Sequence, residues 1–478
     1  MAVDRVDDWV LDRMLATTED VSRRVLLRGG TVLTMDAQLG DFASGDVLIE
    51  GSRIVDVGHD LMSAASDGRA IVVEVNGTIV MPGMHDTHRH SWQGQFRRLL
   101  PDADVVEYNR VLHRLLAPVY RPEDMYAGNL LSALGAIECG ITGIMDFSHN
   151  ARSPEHSDAS IEAWADAGIR AVYAPCAPLF GDWCHQWPED LNRLREERFT
   201  SDDQLVTLRL GTLSQAVGQT LPHSDERAQL DEKALHFARE LDIAVSVDGV
   251  AGPAASEQLE RLGAAGLLGG DTTYIHCRDL TERAWQEIAG SGGTVSLAPS
   301  SGAQFGQPNS SSPIQEVLDL GLRPALSLDV ESCLFSDMFS QMRYLLNMQR
   351  TAAANGPLKG RSDAPAAIAA RDVLEFATVQ GARANGLLAK CGTLSPGKEA
   401  DVVIIRADTI NTLPLNNAIG SVVLGTDSKS VDGVLIGGQV RKWGGELIGQ
   451  ETARVRRLVT ESRDHLLNVS GYALDVLR

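Results

Sequence analysis

The chain has 478 residues, 44% hydrophobic and 22% charged, a composition that excludes a disordered chain and suits one large globular domain with a smaller companion. Its formal net charge of −21, from 43 basic and 64 acidic side chains, argues against nucleic acid or an anionic membrane as a partner and favours a small-molecule substrate. Six cysteines without C-x-x-C spacing, a charged N-terminal segment and no run of eighteen apolar residues point to a reduced, cytoplasmic protein with no membrane span.

In chain order, residues Val3 to Ser22 place Val6, Trp9, Val10, Met14 and Leu15 at helical spacing, predicting an amphipathic helix that docks on the body (residues 1–24). From Val25 the period changes to that of strands. VLLRGGTVLTMD, DVLIEGSRIVDVG and IVVEVNGTIVMPG are β-rich and broken by Gly-Gly, Gly-Ser and Asn-Gly turns, which predicts a small antiparallel sheet over residues 25–80.

Next comes MPGMHDTHRHSWQGQFRR, Met81 to Arg98, around which the chain's chemistry is organised. In a strand, a period of two puts Asp86, His88 and His90 on one face. There the two imidazoles can chelate one divalent ion while the carboxylate orients a ring from behind.

Short apolar runs then recur at residues 143–146, 170–174, 205–208, 243–247, 273–276, 294–297 and 324–328, with helical patterns such as 157–167 and 231–240 between several of them. Together with Ile79-Val80-Met81 they make eight strands, the count of a (β/α)8 barrel, with polar residues at their C-terminal ends where such barrels carry chemistry. Strand texture returns in residues 391–450, and Glu451 to Leu477 reads as a charged amphipathic helix packed on the surface or on a second subunit.

The run P-G-x-x-D-x-H-x-H resembles the first barrel strand of the amidohydrolase superfamily, in the branch of cytosine deaminase, guanine deaminase and chlorotriazine hydrolase. Gly392 to Asp401 resembles the same family's G-x-L-x-P-G-x-x-A-D signature. The resemblance implies an α/β fold: a (β/α)8 TIM barrel over residues 81–390, with a small β-sandwich built from both chain ends (25–80 and 391–450) and a C-terminal helix at 451–478. It also implies that His276, ending the sixth strand, and Asp329, ending the eighth, belong to the site. Asp329 would bind the metal and take a proton from water, and His276 would touch the water or the leaving side of the substrate. By family position Trp92, Gln93 and His149 lie at the mouth as a stacking wall and hydrogen-bonding groups for a ligand, and the loop Ala298 to Pro313 governs substrate choice. The remaining histidines, His113 among them, read as surface or core.

The fifth strand departs from the pattern. Asp248 stands where the family has a histidine, and Ala251 where the deaminases have a glutamate that shuttles protons. A carboxylate can still ligate a metal and, unlike imidazole, can bridge two, whereas loss of the glutamate removes acid-base help worth on the order of a hundredfold. The expectation is a divalent ion, zinc or iron(II), one or two per chain, on His88, His90, Asp248, His276 and Asp329, serving hydrolysis of a carbon–nitrogen bond in a homo-oligomeric enzyme. Two alternatives stay open: a di-iron, oxygen-activating monooxygenase on the same barrel, and a catalytically dead binding barrel.

Overall fold

The computed structural model describes residues 8–17, 20–65, 70–183, 187–218, 224–307, 312–358 and 366–477. It divides into two compact units, one of Met1–Asp86, Leu134–Gly143 and Asp337–Gly449, the other of Thr87–Ala133, Ile144–Ser336 and Gln450–Arg478.

The first unit is built on one nine-stranded sheet drawn from both ends of the chain. At its centre Thr78–Pro82 lies parallel to the strand Arg24–Val32 on one side and antiparallel to Val402–Arg406 on the other. Val25, Ile49 and Val57 from the early strands share one hydrophobic core with Val402, Leu435 and Trp443 from the late ones, so the sheet curls until its two halves cover each other's apolar face. Two sequence expectations are corrected here. The sheet is mixed and not purely antiparallel, because Arg24–Val32 also pairs parallel with Ile71–Glu74. Residues 79–81 belong to this sheet and are not the first barrel strand; their three β-branched and apolar side chains are all buried and complete its core.

The helix Asp8–Ala16 packs on that core through Val10 and Met14, four residues apart, and turns Trp9 and Leu15 outward. Val6, expected at the same helical spacing, lies outside the described residues.

The eight barrel strands are Met84–Arg89, Ile141–Ser148, Arg170–Pro175, a fourth in two pieces (Val206–Leu208 and Leu210–Leu213), Val245–Asp248, Thr272–Ile275, Thr294–Leu297 and Ala325–Leu326. The paired strands given a register from the third strand to the eighth run parallel, with helices such as Pro154–Ala167, Ser224–Glu240 and Glu282–Ser291 between them, as right-handed crossovers require. The eighth strand closes on the first: Asp329 N donates to His88 O (2.9 Å) and His90 N to Asp329 O (3.0 Å). The fold is therefore an α/β (β/α)8 barrel with an additional β domain.

The last helix runs Thr452–Ser470 and stops earlier than the charge pattern suggests, because Gly471 takes the left-handed conformation of a helix cap (φ 71°). Within the second unit it buries Leu466 and Leu467 in the apolar cluster that holds Trp92 and Phe96.

Candidate metal centre

Four barrel strands aim five chemically apt side chains at one point. The first strand buries His88 completely and leaves His90 almost so, as its period of two requires, while Asp248 ends the fifth strand. His276 and Asp329 follow the sixth and eighth strands, and both sit in the left-handed region (φ 75° and 63°) that side chains other than glycine rarely adopt. Such backbone costs on the order of 1 kcal/mol per residue and persists where the surroundings impose it. Here it turns both side chains into the barrel mouth.

The imidazole nitrogens and carboxylate oxygens interlock. His88 Nε2 lies 3.4 Å from Asp248 Oδ1 and 3.5 Å from Asp329 Oδ1; His90 Nε2 is 3.4 Å from Asp329 Oδ1 and 3.7 Å from Asp248 Oδ2; His276 Nε2 is 3.3 Å from Asp248 Oδ1. Two overlapping groups, His88-His90-Asp329 and His88-Asp248-His276, each bring their ligand atoms within 4.8 Å of one another. A tetrahedral ion with bonds of about 2.05 Å has ligand–ligand edges of about 3.3 Å. The observed separations match that edge, and the donor set suits zinc or iron(II).

Electrostatics and outer contacts prepare the same atoms. Burial alone would raise the Asp329 carboxyl, but hydrogen bonds from His88 and His90 and the charge of His276 outweigh it and hold the group well below the usual carboxylate range. Asp248 is likewise lowered: burial opposes, while His88, a hydrogen bond from His276 and the charge of His90 prevail. Ser301 Oγ donates to Asp329 Oδ2 (2.6 Å) and Gly249 N to Asp248 Oδ1 (2.6 Å). The carbonyl of Phe147, 3.3 Å from His90 Nδ1, can only accept, so that nitrogen carries a proton and Nε2 is the atom directed at the cluster. Asp86, expected behind the rings, is buried on the same strand, and the backbone of the second strand holds His90.

The mouth residues also assemble. His149 stacks on His90 (centroids 4.2 Å apart, 16° between planes) and accepts a hydrogen bond from Trp92 Nε1 at its Nδ1 (3.0 Å). Indole only donates, so neutral His149 carries its proton on Nε2. Burial, helped by His90 and His113, holds its pKa well below the usual value. Gln93 Nε2 donates to Tyr108 Oη (2.6 Å), which also meets His113 Nε2 (3.1 Å).

His113 and Tyr108 form a further layer that sequence reading missed. His113 packs edge-on against His149 at 4.7 Å, but it comes from the irregular helical segment Asn109–Leu116 and has no metal spacing that would mark it. Ser301, from the loop after the seventh strand, was equally hidden in a Gly/Ser-rich run. That loop forms a short helix, Ser301–Gln304, and its residues 308–311 lie outside the described residues.

Comparison with known proteins agrees with this fold. Residues 272–441 match the Amidohydrolase family model. The chain is 26% identical over 431 residues to a 5'-deoxyadenosine deaminase of Methanosarcina mazei, covering 87% of this chain and 92% of that one. Among solved structures it superposes on an adenosine deaminase of Xanthomonas campestris with bound zinc (TM-score 0.77, 20% identity, 93% of this chain and 98% of that one). It also superposes on a zinc complex of atrazine chlorohydrolase from Arthrobacter aurescens (TM-score 0.75, 20% identity, 92% and 99%).

Over residues 272–441 the chain thus resembles the Amidohydrolase family, and its barrel is similar to those of the two solved structures. It is similar to deaminases and to a chlorohydrolase, and it carries Asp248 at the end of its fifth strand.

Proposed function

We propose that this protein is a metal-dependent hydrolase acting on a carbon–nitrogen bond, amide, amidine or heteroaromatic, of a small molecule. One observation carries the reading: three imidazoles and two ionised carboxylates converge at the C-terminal ends of barrel strands with the edge lengths of a tetrahedral ion. The deaminase relatives support the same class. His88, His90, Asp329 and Asp248 would hold a divalent ion, whose positive charge would lower the pKa of a water toward neutrality.

The chain's own groups do the rest. Asp329, kept ionised, accepts a proton from the attacking water while Ser301 fixes its second oxygen. His276 lies beside both carboxylates and handles the proton on the leaving side. His149, its tautomer set by Trp92, presents an Nε2–H to the ligand, with Trp92 and Gln93 forming the wall behind it. Ala251 contributes no acid, so proton delivery to the leaving nitrogen rests on these histidines.

The test is the metal content of protein purified without chelator, followed by ammonia release from 5'-deoxyadenosine and related amidines. One zinc per chain with ammonia release is the expected result. Two irons per chain would favour the oxygen-activating alternative, and an apo protein would favour the dead barrel. The proposal extends to a cytoplasmic homo-oligomer, supported by exposed Leu474, Val476 and Leu477 beyond the last helix; light scattering at micromolar concentration tests the assembly.

A further inference from the structure

Arg278, two residues beyond His276, is the cation beside the metal centre that none of the chemistry above employs. Its backbone is pinned on both sides, its N donating to Val250 O (3.0 Å) and its O accepting from Gly252 N (2.8 Å). Arg278 and His276 line the same narrow cavity, together with Leu297, Ala298, Pro299, Gly302, Ser312 and Pro313. That cavity has room for about one water molecule, the size of a single carboxylate oxygen. The Nε of Arg278 is buried with no hydrogen-bond partner, and the carboxylates acting on the guanidinium are Asp329, Asp279 and Asp248.

Charge accounting gives this arrangement a direction. Asp248 and Asp329 contribute two negative charges, which one divalent ion cancels. Asp279 is exposed, where water and salt screen it. A site loaded with a divalent ion would therefore keep one positive charge, on a guanidinium whose Nε lacks a hydrogen-bond partner. Guanidinium forks favour carboxylate and phosphate.

The geometry points to Arg278 as a specificity-determining residue that anchors an anionic group, carboxylate or phosphate, on the substrate hydrolysed at the neighbouring centre. This rests on the hydrolase reading and narrows its substrate class.

Equilibrium binding to zinc-loaded protein tests it without turnover. The probes are pyridine-3-carboxylate, its neutral amide, and inorganic phosphate, measured by calorimetry on the wild type, Arg278→Gln and Arg278→Lys, with zinc content determined for each. The wild type should prefer the carboxylate over the amide by roughly tenfold, the contribution of one charge-assisted contact. Arg278→Gln should lose that preference at unchanged zinc content, and Arg278→Lys should keep part of it. Phosphate binding that falls in parallel extends the anchor to phosphoryl groups, and phosphate binding that does not change confines it to carboxylates. A preference that survives in Arg278→Gln means that the ion alone holds the anion and overturns the proposal, as does a wild type with no preference. Failure of the wild type to bind zinc instead defeats the hydrolase reading beneath it.

Discussion

Acid should destabilise this protein through His113. The imidazole is 2% exposed, and its pKa is lowered from 6.5 to about 3, chiefly by burial, with the charges of His90 and Arg152 adding and Asp248 opposing. A histidine whose pKa is lowered by folding contributes stability that is full above the unfolded value, near 6.5, and is lost as pH falls, because the unfolded chain takes up a proton that the folded chain refuses. Between pH 7.5 and pH 5.0 the loss is set almost entirely by the unfolded state, since the folded group stays neutral throughout. RT ln(1 + 10^1.5) gives about 2 kcal/mol. Urea denaturation of chelator-treated wild type and His113→Gln, followed by tryptophan fluorescence at both pH values, isolates this contribution, because every other titrating group is common to the pair. The wild type should lose about 2 kcal/mol more than the variant over that interval. Equal losses in the two proteins would mean that His113 is hydrated or already charged in the fold, and the account of the layer behind His149 would be wrong.

Three further outcomes follow from the site and the sheet. Asp248→His should retain a single zinc if Asp248 is a terminal ligand, and should lose one of two ions if Asp248 bridges, because an imidazole nitrogen has no second lone pair to share; mass-spectrometric metal counting decides, and wild-type metal content together with wild-type activity in Asp248→Ala would make Asp248 a bystander. Replacing both His88 and His90 by Ala should strip the metal while circular dichroism changes little, since buried aliphatic layers carry most of the barrel's stability; full occupancy in that variant contradicts the ligand assignment. A chain ending before Gly392 should be insoluble, because Thr78–Pro82 loses its partner Val402–Arg406 and the early strands lose the cover of Leu435 and Trp443; a soluble, cooperatively unfolding truncation refutes that dependence.

What the sequence made legible follows from which signals are local. The H-x-H pair sits in one strand, so its period of two announces His88 and His90 directly, and the turn signature at Gly392 to Asp401 announces the return of the β domain. His276 and Asp329 needed the family resemblance, because nothing in their own segments signals the left-handed backbone that aims them. The strand at residues 79–81 was assigned to the barrel since it abuts the histidines, yet Pro82-Gly83 separates two strands of different sheets, and apolar runs on either side of such a break look alike. His113, Tyr108 and Ser301 were invisible for a different reason: each lies on irregular backbone, where no periodicity relates a residue to the neighbours it meets in space.

The backbone clasp between Asp329 and the residues His88 and His90 joins positions about 240 apart along the chain. Contacts of such long sequence separation form late, after the intervening loop entropy has been overcome. During synthesis, then, the full ligand set cannot exist until the eighth strand has left the ribosome and docked on the first. Ion capture should therefore coincide with barrel closure, which makes metal occupancy a timer for the end of folding and leaves earlier, half-built chains with nothing better than a pair of histidines to offer a passing cation.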